Sequence, residues 1–156
     1  GRETMYSKPP SLPARLLTLL PKDSAIVDRV AARLKLSNKM REALAARVSV
    51  IEPTAGNIRA LAYRNGKDCA RDAAMLYSSA DSVSAGLAML EDWAIPDFTI
   101  GGGDLIGMGL TPGPIVAKTL RTVEALWIAE GFPQTEKLNE IARQSVADAL
   151  SATKKA

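Results

Sequence analysis

The chain has no histidine and a single cysteine, Cys69, in 156 residues. Without histidine it lacks the commonest general base and the commonest zinc ligand, so Ser-His-Asp triads, histidine zinc sites and histidine-metal hydrolases are excluded. One cysteine rules out an internal disulfide. Cys69 sits in an alanine-rich helical stretch, where a free thiol packs as a small apolar residue, and it is assigned no chemistry. Aromatics are only 4% of the chain while Ala, Leu, Arg and Lys abound, a balance that favours helix over the β-branched and aromatic mix of strands. No apolar run approaches the roughly 20 residues of a bilayer span, and there is no basic-then-apolar export signal. The expectations are an all-α fold, no membrane partner and a cytoplasmic location.

What is present suits one or two compact domains with a real core, since 47% of residues are hydrophobic and 24% charged. The net charge of +3 hides an asymmetry: residues 1–74 hold 14 Lys/Arg against 7 Asp/Glu, whereas residues 75–156 hold 6 against 10. The basic half is the candidate for a polyanionic partner. Positive blocks on a folded face serve phosphate backbones, and equally they form solvated helix surfaces.

Along the chain, residues 1–10, "GRETMYSKPP", lack core periodicity and are expected to be linker or disordered. The chain opens on Gly1, as a piece cut from a longer protein would. Ser11 begins a short helix with proline near its first turn. From Ser24, Ile26, Val27, Val30, Ala31 and Leu34 recur at helical spacing and leave Arg29 and Arg33 together on the opposite face. Ser37 caps the next helix, with Met40, Leu44 and Val48 inward and Lys39 and Arg41 outward. A further helix is expected from near Thr54, using Ile58, Leu61 and Ala62, and it stops at Asn65-Gly66. Cys69, Ala73, Leu76 and Tyr77 form one stripe of the following helix. Val83, Leu87, Leu90 and Trp93 mark another, which Pro96 closes. Residues 95–104 read as extended. After a short helical turn around Leu105 to Met108, a long helix runs to about Glu130 with Val116, Leu120, Val123 and Trp127 inward. A last helix, from about Gln134 to Leu150, carries Leu138, Ile141, Ser145 and Ala149 on one side. No repeat of fixed period is present.

The glycine-dense stretch "GGGDLIGMGLTPGPIVAKTL", residues 101–120, invites comparison with nucleotide loops. A P-loop needs glycine, four residues, then Gly-Lys-Ser/Thr after a strand. Anchored on Lys118-Thr119, those glycines fall on Pro112 and Ala117. A dinucleotide fingerprint from Gly107-Met108-Gly109 needs its third glycine where Pro112 stands. Neither fits. Gly109 instead suits the residue just past a short helix, and Gly113-Pro114 suits the start of the next, which describes a tight helix hairpin. Amides at that second N-terminus, with Lys118 one turn on, suit a nucleic-acid phosphate. The bland alternative is that the glycines only let two helices approach.

The series Pro96-x-Phe98-x-Ile100-x-Gly102-x-Asp104-Leu105, then Gly109-x-x-Pro112-Gly113-Pro114, then Leu120, Glu124 and "WIAEGF" at 127–132, resembles the C-terminal region of bacterial CCA-adding tRNA nucleotidyltransferases and their poly(A) polymerase relatives. So do "RVAARLKLSN" at 29–38 and "RALAYRNGKDCARD" at 59–72, and the similarity runs over most of residues 12–132. Thr99 and Ala117 depart from it, standing where the family often has proline and glycine. The resemblance implies an all-α fold, with a multi-helix body over 11–95 followed by a Gly/Pro-turned helix-hairpin tail over 96–152. It implies tRNA or another RNA as partner, its 3′ end positioned for a catalytic head that this chain does not include. Magnesium is expected in that head, and no cofactor in these residues.

Two-metal nucleotidyl transfer needs carboxylates converging on ions about 4 Å apart. Asp68 and Asp72 lie one helical turn apart, but Lys67 and Arg71 flank them as in a surface salt-bridge lattice. Glu91 and Asp92 point about 100° apart around a helix. No catalytic or metal-binding residue is expected, and the chain alone should be inactive. RNA contact is assigned to Arg29, Arg33, Lys35, Lys39, Arg41, Arg64, Lys67 and Arg71 on the basic faces, and to Gly113 and Lys118 at the tail turn. The competing reading is a helical protein-interaction module whose basic face meets an acidic partner. No sequence pattern specifies an oligomeric state.

Overall fold

Capping side chains set where the first helices begin. In the computed structural model, which describes residues 11–154, Ser11 accepts from the Ala14 N–H at 3.1 Å and starts α1 (Leu12–Leu17), with Pro13 in its first turn. Asp23 accepts from the Ala25 and Ile26 N–H groups and starts α2 (Ser24–Arg33). Ser37 accepts from the Met40 N–H and starts α3 (Asn38–Val48). Helices α4 (Ile58–Asn65) and α5 (Lys67–Tyr77) meet at Gly66, whose φ of +85° few side chains tolerate. Helix α6 (Ala80–Glu91) completes the first of two compact units, residues 1–95. The second unit, residues 96–156, holds α7 (Gly102–Gly107), α8 (Pro114–Ala129) and α9 (Thr135–Lys154). The fold is all-α, with no strand among the described residues. Among them no helix is long and apolar enough to cross a membrane. Segment 1–10, expected to be linker, lies outside the described residues.

In the first unit α5 packs against α1, α3, α4 and α6 and buries Cys69, Ala70, Ala73, Ala74 and Met75. Its alanines let neighbours approach on several sides. One apolar cluster joins Leu17, Val27, Ala31, Leu44 and Val48; a second joins Ile58, Ala62, Ala70, Ala74 and Leu90. Fully burying a Leu or Ile of this kind stabilises the fold by about 1.5–3 kcal/mol. Because α5 is interior over most of its circumference, Asp72 is buried as well, which corrects its expected place in a surface lattice. Asp72 accepts from Arg47 Nε and from the Ser11 hydroxyl, both at 2.7 Å, so one carboxylate ties α1, α3 and α5 together. Only Asp68 pairs with Arg71, at 2.8 Å.

Four helix boundaries also differ from expectation. Helix α7 begins at Gly102, inside the stretch 95–104 read as extended, because the Asp104 carboxylate accepts from the Gly101 N–H, and α9 runs on past Leu150 to Lys154. Helix α4 starts at Ile58 rather than near Thr54 because Asn57 Oδ1 accepts from the Thr54 N–H and its Nδ2 donates to the Glu52 carbonyl, a local turn that competes with helix. Helix α6 ends at Glu91, before Trp93. Arg59 lies over the Trp93 ring, 5.6 Å from its centroid, and donates to the Met89 carbonyl, so tertiary contacts rather than helix hold this end.

In the second unit the extended stretch gives way to α7 at Gly102, where Asp104 accepts from the Gly101 N–H at 2.7 Å. A Cβ on Gly102 would come within 3.2 Å of Val116, so α7 and α8 are in close contact there. Helices α8 and α9 form a hairpin through Gly131 and Phe132, both with positive φ. Trp127 anchors the core: its ring centroid lies 5.3 Å from that of Phe98 and 5.0 Å from that of Phe132, and its Nε1 donates to the Pro133 carbonyl. The buried face of α8 is Thr119, Val123 and Trp127, while Val116 and Leu120 are only half-buried.

Candidate nucleic-acid interface

Basic side chains gather at two helix–helix turns of the first unit. Burial of Val27 and Ala31 turns Arg29 and Arg33 of α2 outward, and Lys35 and Lys39 follow them around the turn into α3, all four exposed. The turn has a specific geometry. Lys35 N–H donates to the Ala32 carbonyl and Leu36 N–H to the Ala31 carbonyl, the paired bonds of a Schellman ending, and Lys35 itself has φ +52°. Glycine normally occupies that position, because a side chain there is strained. This chain places a lysine there and points it into solvent. Arg41, half-buried on α3, is already bonded to Asp28 of α2 at 2.7 Å.

The second group flanks Gly66. Arg64 is exposed at the end of α4, and Lys67 and Arg71 are half-buried on α5. The structure thus groups Arg29, Arg33, Lys35, Lys39 and Arg41 at one turn, and Arg64, Lys67 and Arg71 at another. It commits Arg41 and Arg71 to carboxylates, while Arg29, Arg33, Lys35, Lys39 and Arg64 have no ion pair among the described residues. Their charges remain available to a partner.

In the second unit Gly113 is the N-cap of α8, with φ +147° and ψ −170°, a backbone shape essentially confined to glycine. An added Cβ would meet nothing within 4 Å, so this end of the helix is open. Pro114 has no N–H, and the Val116 N–H donates to the Gly113 carbonyl at 3.0 Å, so the first turn of α8 offers the Gly113 and Ile115 amides as its remaining donors. Lys118 is exposed one turn on, at the lip of a groove of about 470 Å³ between α8 and α9.

Other chemistry is sparse. Cys69 is buried, and burial pushes its thiol up from the usual range, Arg47 offsetting part of the rise. Such a thiol is neutral and poorly nucleophilic. Among the described residues no three His, Cys, Asp or Glu side chains stand together as metal ligands. Sequence reasoning missed Arg47 and the buried Thr119, and it placed Ser145 on an apolar stripe. The available signal was a polar residue at a core-facing position of each helix. Known protein families, curated proteins and solved structures give no match to the chain.

Proposed function

We propose that the chain is the RNA-binding helical part of a tRNA nucleotidyltransferase of the CCA-adding or poly(A) polymerase kind, holding RNA so that its 3′ end reaches a catalytic head outside this chain. The observation that carries the reading is the α2–α3 turn, where a lysine occupies a left-handed position that glycine would fill without strain, amid Arg29, Arg33 and Lys39. Strain kept at an exposed charged residue points to use of that charge. The resemblance of residues 12–132 to that family supplies the partner class. Exposed Lys and Arg act on RNA by neutralising phosphates, which orients the strand without reading its sequence. Magnesium does not fit the carboxylates here, because Asp72 is bonded to Arg47 and Ser11 and Asp68 to Arg71. The proposal places it in the head.

The test is a salt titration of the chain against tRNA and against duplex DNA of similar length, followed by fluorescence anisotropy. Affinity for tRNA should fall with a log–log slope of about −0.7 to −0.9 per phosphate contact, and tRNA should be preferred. Absence of tRNA binding at low salt, or affinity indifferent to salt, would favour the protein-interaction module instead. Incubation with tRNA, magnesium and labelled ATP or CTP should give no incorporation.

A further inference from the structure

Among the described residues the Ser145 hydroxyl is a buried side-chain polar group with no hydrogen-bond partner. Ser145 is 6% exposed and lines the groove between α8 and α9. Buried polar groups in folded proteins are nearly always bonded, so an orphaned hydroxyl on a groove wall points to a ligand that satisfies it. The volume of about 470 Å³ lies in the range of small-ligand sites. Ile115, Leu126 and Ala149 make apolar walls, buried Thr119 sits on α8, and Lys118 stands at the lip near the open N-terminus of α8.

These features select among occupants. An aliphatic chain would leave the Ser145 hydroxyl unpaired. A helix from a second copy or another protein bonds its own backbone internally and would lay apolar side chains over the same hydroxyl. A nucleobase has apolar faces for the walls and a rigid edge of donors and acceptors for a hydroxyl, which both donates and accepts. It also arrives attached to a phosphate, and the groove opens beside Lys118. A serine hydroxyl turns between staggered wells, so a seated base edge can draw it out of its unpaired position.

We propose that the α8–α9 groove seats one unstacked nucleobase of the bound RNA, its edge on Ser145 and its phosphate at Lys118. This rests on the RNA reading above. It adds that the tail recognises a base out of the stack, where the basic turns of the first unit contact backbone only.

The experiment uses the full chain and two RNA stems of equal length, one perfectly paired and one with a single bulged 2-aminopurine. Anisotropy should show the bulged stem bound roughly tenfold more tightly, equivalent to about 1.4 kcal/mol, and 2-aminopurine fluorescence should change on binding. Ala149→Leu fills the groove and should erase the preference while leaving affinity for the paired stem unchanged. Ser145→Ala should reduce the preference without lowering the melting temperature, since it removes an unpaired hydroxyl. Equal affinity for the two stems, or a preference that survives Ala149→Leu, overturns the base site and leaves the RNA reading standing. Failure to bind either stem overturns both. Sedimentation completes the test: self-association that Ala149→Leu abolishes would mean that a second copy covers the groove, and the base site would be wrong.

Discussion

Arg47 of α3 donates from Nε to Asp72 of α5 at 2.7 Å, with both side chains almost wholly out of water. Removing one partner of such a pair strands the other charge in a medium that solvates it poorly. Asp72→Ala is therefore expected to lower stability by about 3–5 kcal/mol, and also to take the acceptor from Ser11. The double variant Arg47→Met, Asp72→Leu should recover most of that loss, since apolar side chains of similar volume need no partner. Urea denaturation of the three chains measures both. A single variant within about 0.5 kcal/mol of the parent, as for an ordinary surface change, would show that water reaches the pair.

Lys35 offers a test in the opposite direction. Its φ of +52° costs a non-glycine residue about 1–2 kcal/mol, partly offset by the greater freedom of glycine in the unfolded chain. Lys35→Gly should stabilise the chain by up to about 1 kcal/mol and weaken tRNA binding, with a shallower salt slope. Stabilisation without any change in RNA affinity would remove the reason for keeping a lysine in that turn.

Alkaline pH should destabilise the first unit. Burial raises the Cys69 thiol and also the Tyr77 phenol, so the folded chain keeps protons that the unfolded chain releases near pH 8.5 and pH 10. Between the unfolded and folded values the native state binds more protons, and stability falls as pH rises. It is fully present below about pH 8.5 and lost progressively above. Cys69→Ala should flatten the first part of that decline in melting temperature between pH 8 and 10. An unchanged slope would assign the loss to other groups.

At the tail turn, binding and architecture separate by substitution. Lys118→Glu should weaken tRNA binding by roughly 1–2 kcal/mol with little effect on folding, because the side chain is exposed. Gly113→Ala should cost about 1–3 kcal/mol of stability through backbone strain alone, since the space around it is open. If Lys118→Glu leaves tRNA affinity intact, the turn is packing only.

Much of the backbone plan was legible in the chain itself. Ser11 and Ser37 cap helices as read, Gly66 and Gly109 have the positive φ expected past helix ends, and Gly113-Pro114 opens α8. These are local effects: a hydroxyl, a missing Cβ or a missing N–H acts within four residues of its own position, so the neighbouring sequence is enough to read it. Poverty in aromatics and richness in alanine and leucine settled the all-α class for the same reason.

Two features depended on tertiary packing. Asp72 reads as a surface acid from its neighbours Lys67 and Arg71, but α1, α3, α4 and α6 surround α5 and turn it into a buried acceptor. Ser145 reads as a small residue on an apolar stripe, and only the way α9 lies along α8 makes it an unpaired hydroxyl in a groove. In each case helical periodicity specifies the angle of a side chain around its own axis, whereas burial and bonding depend on which other helices occupy that direction, and no short window of sequence contains that information.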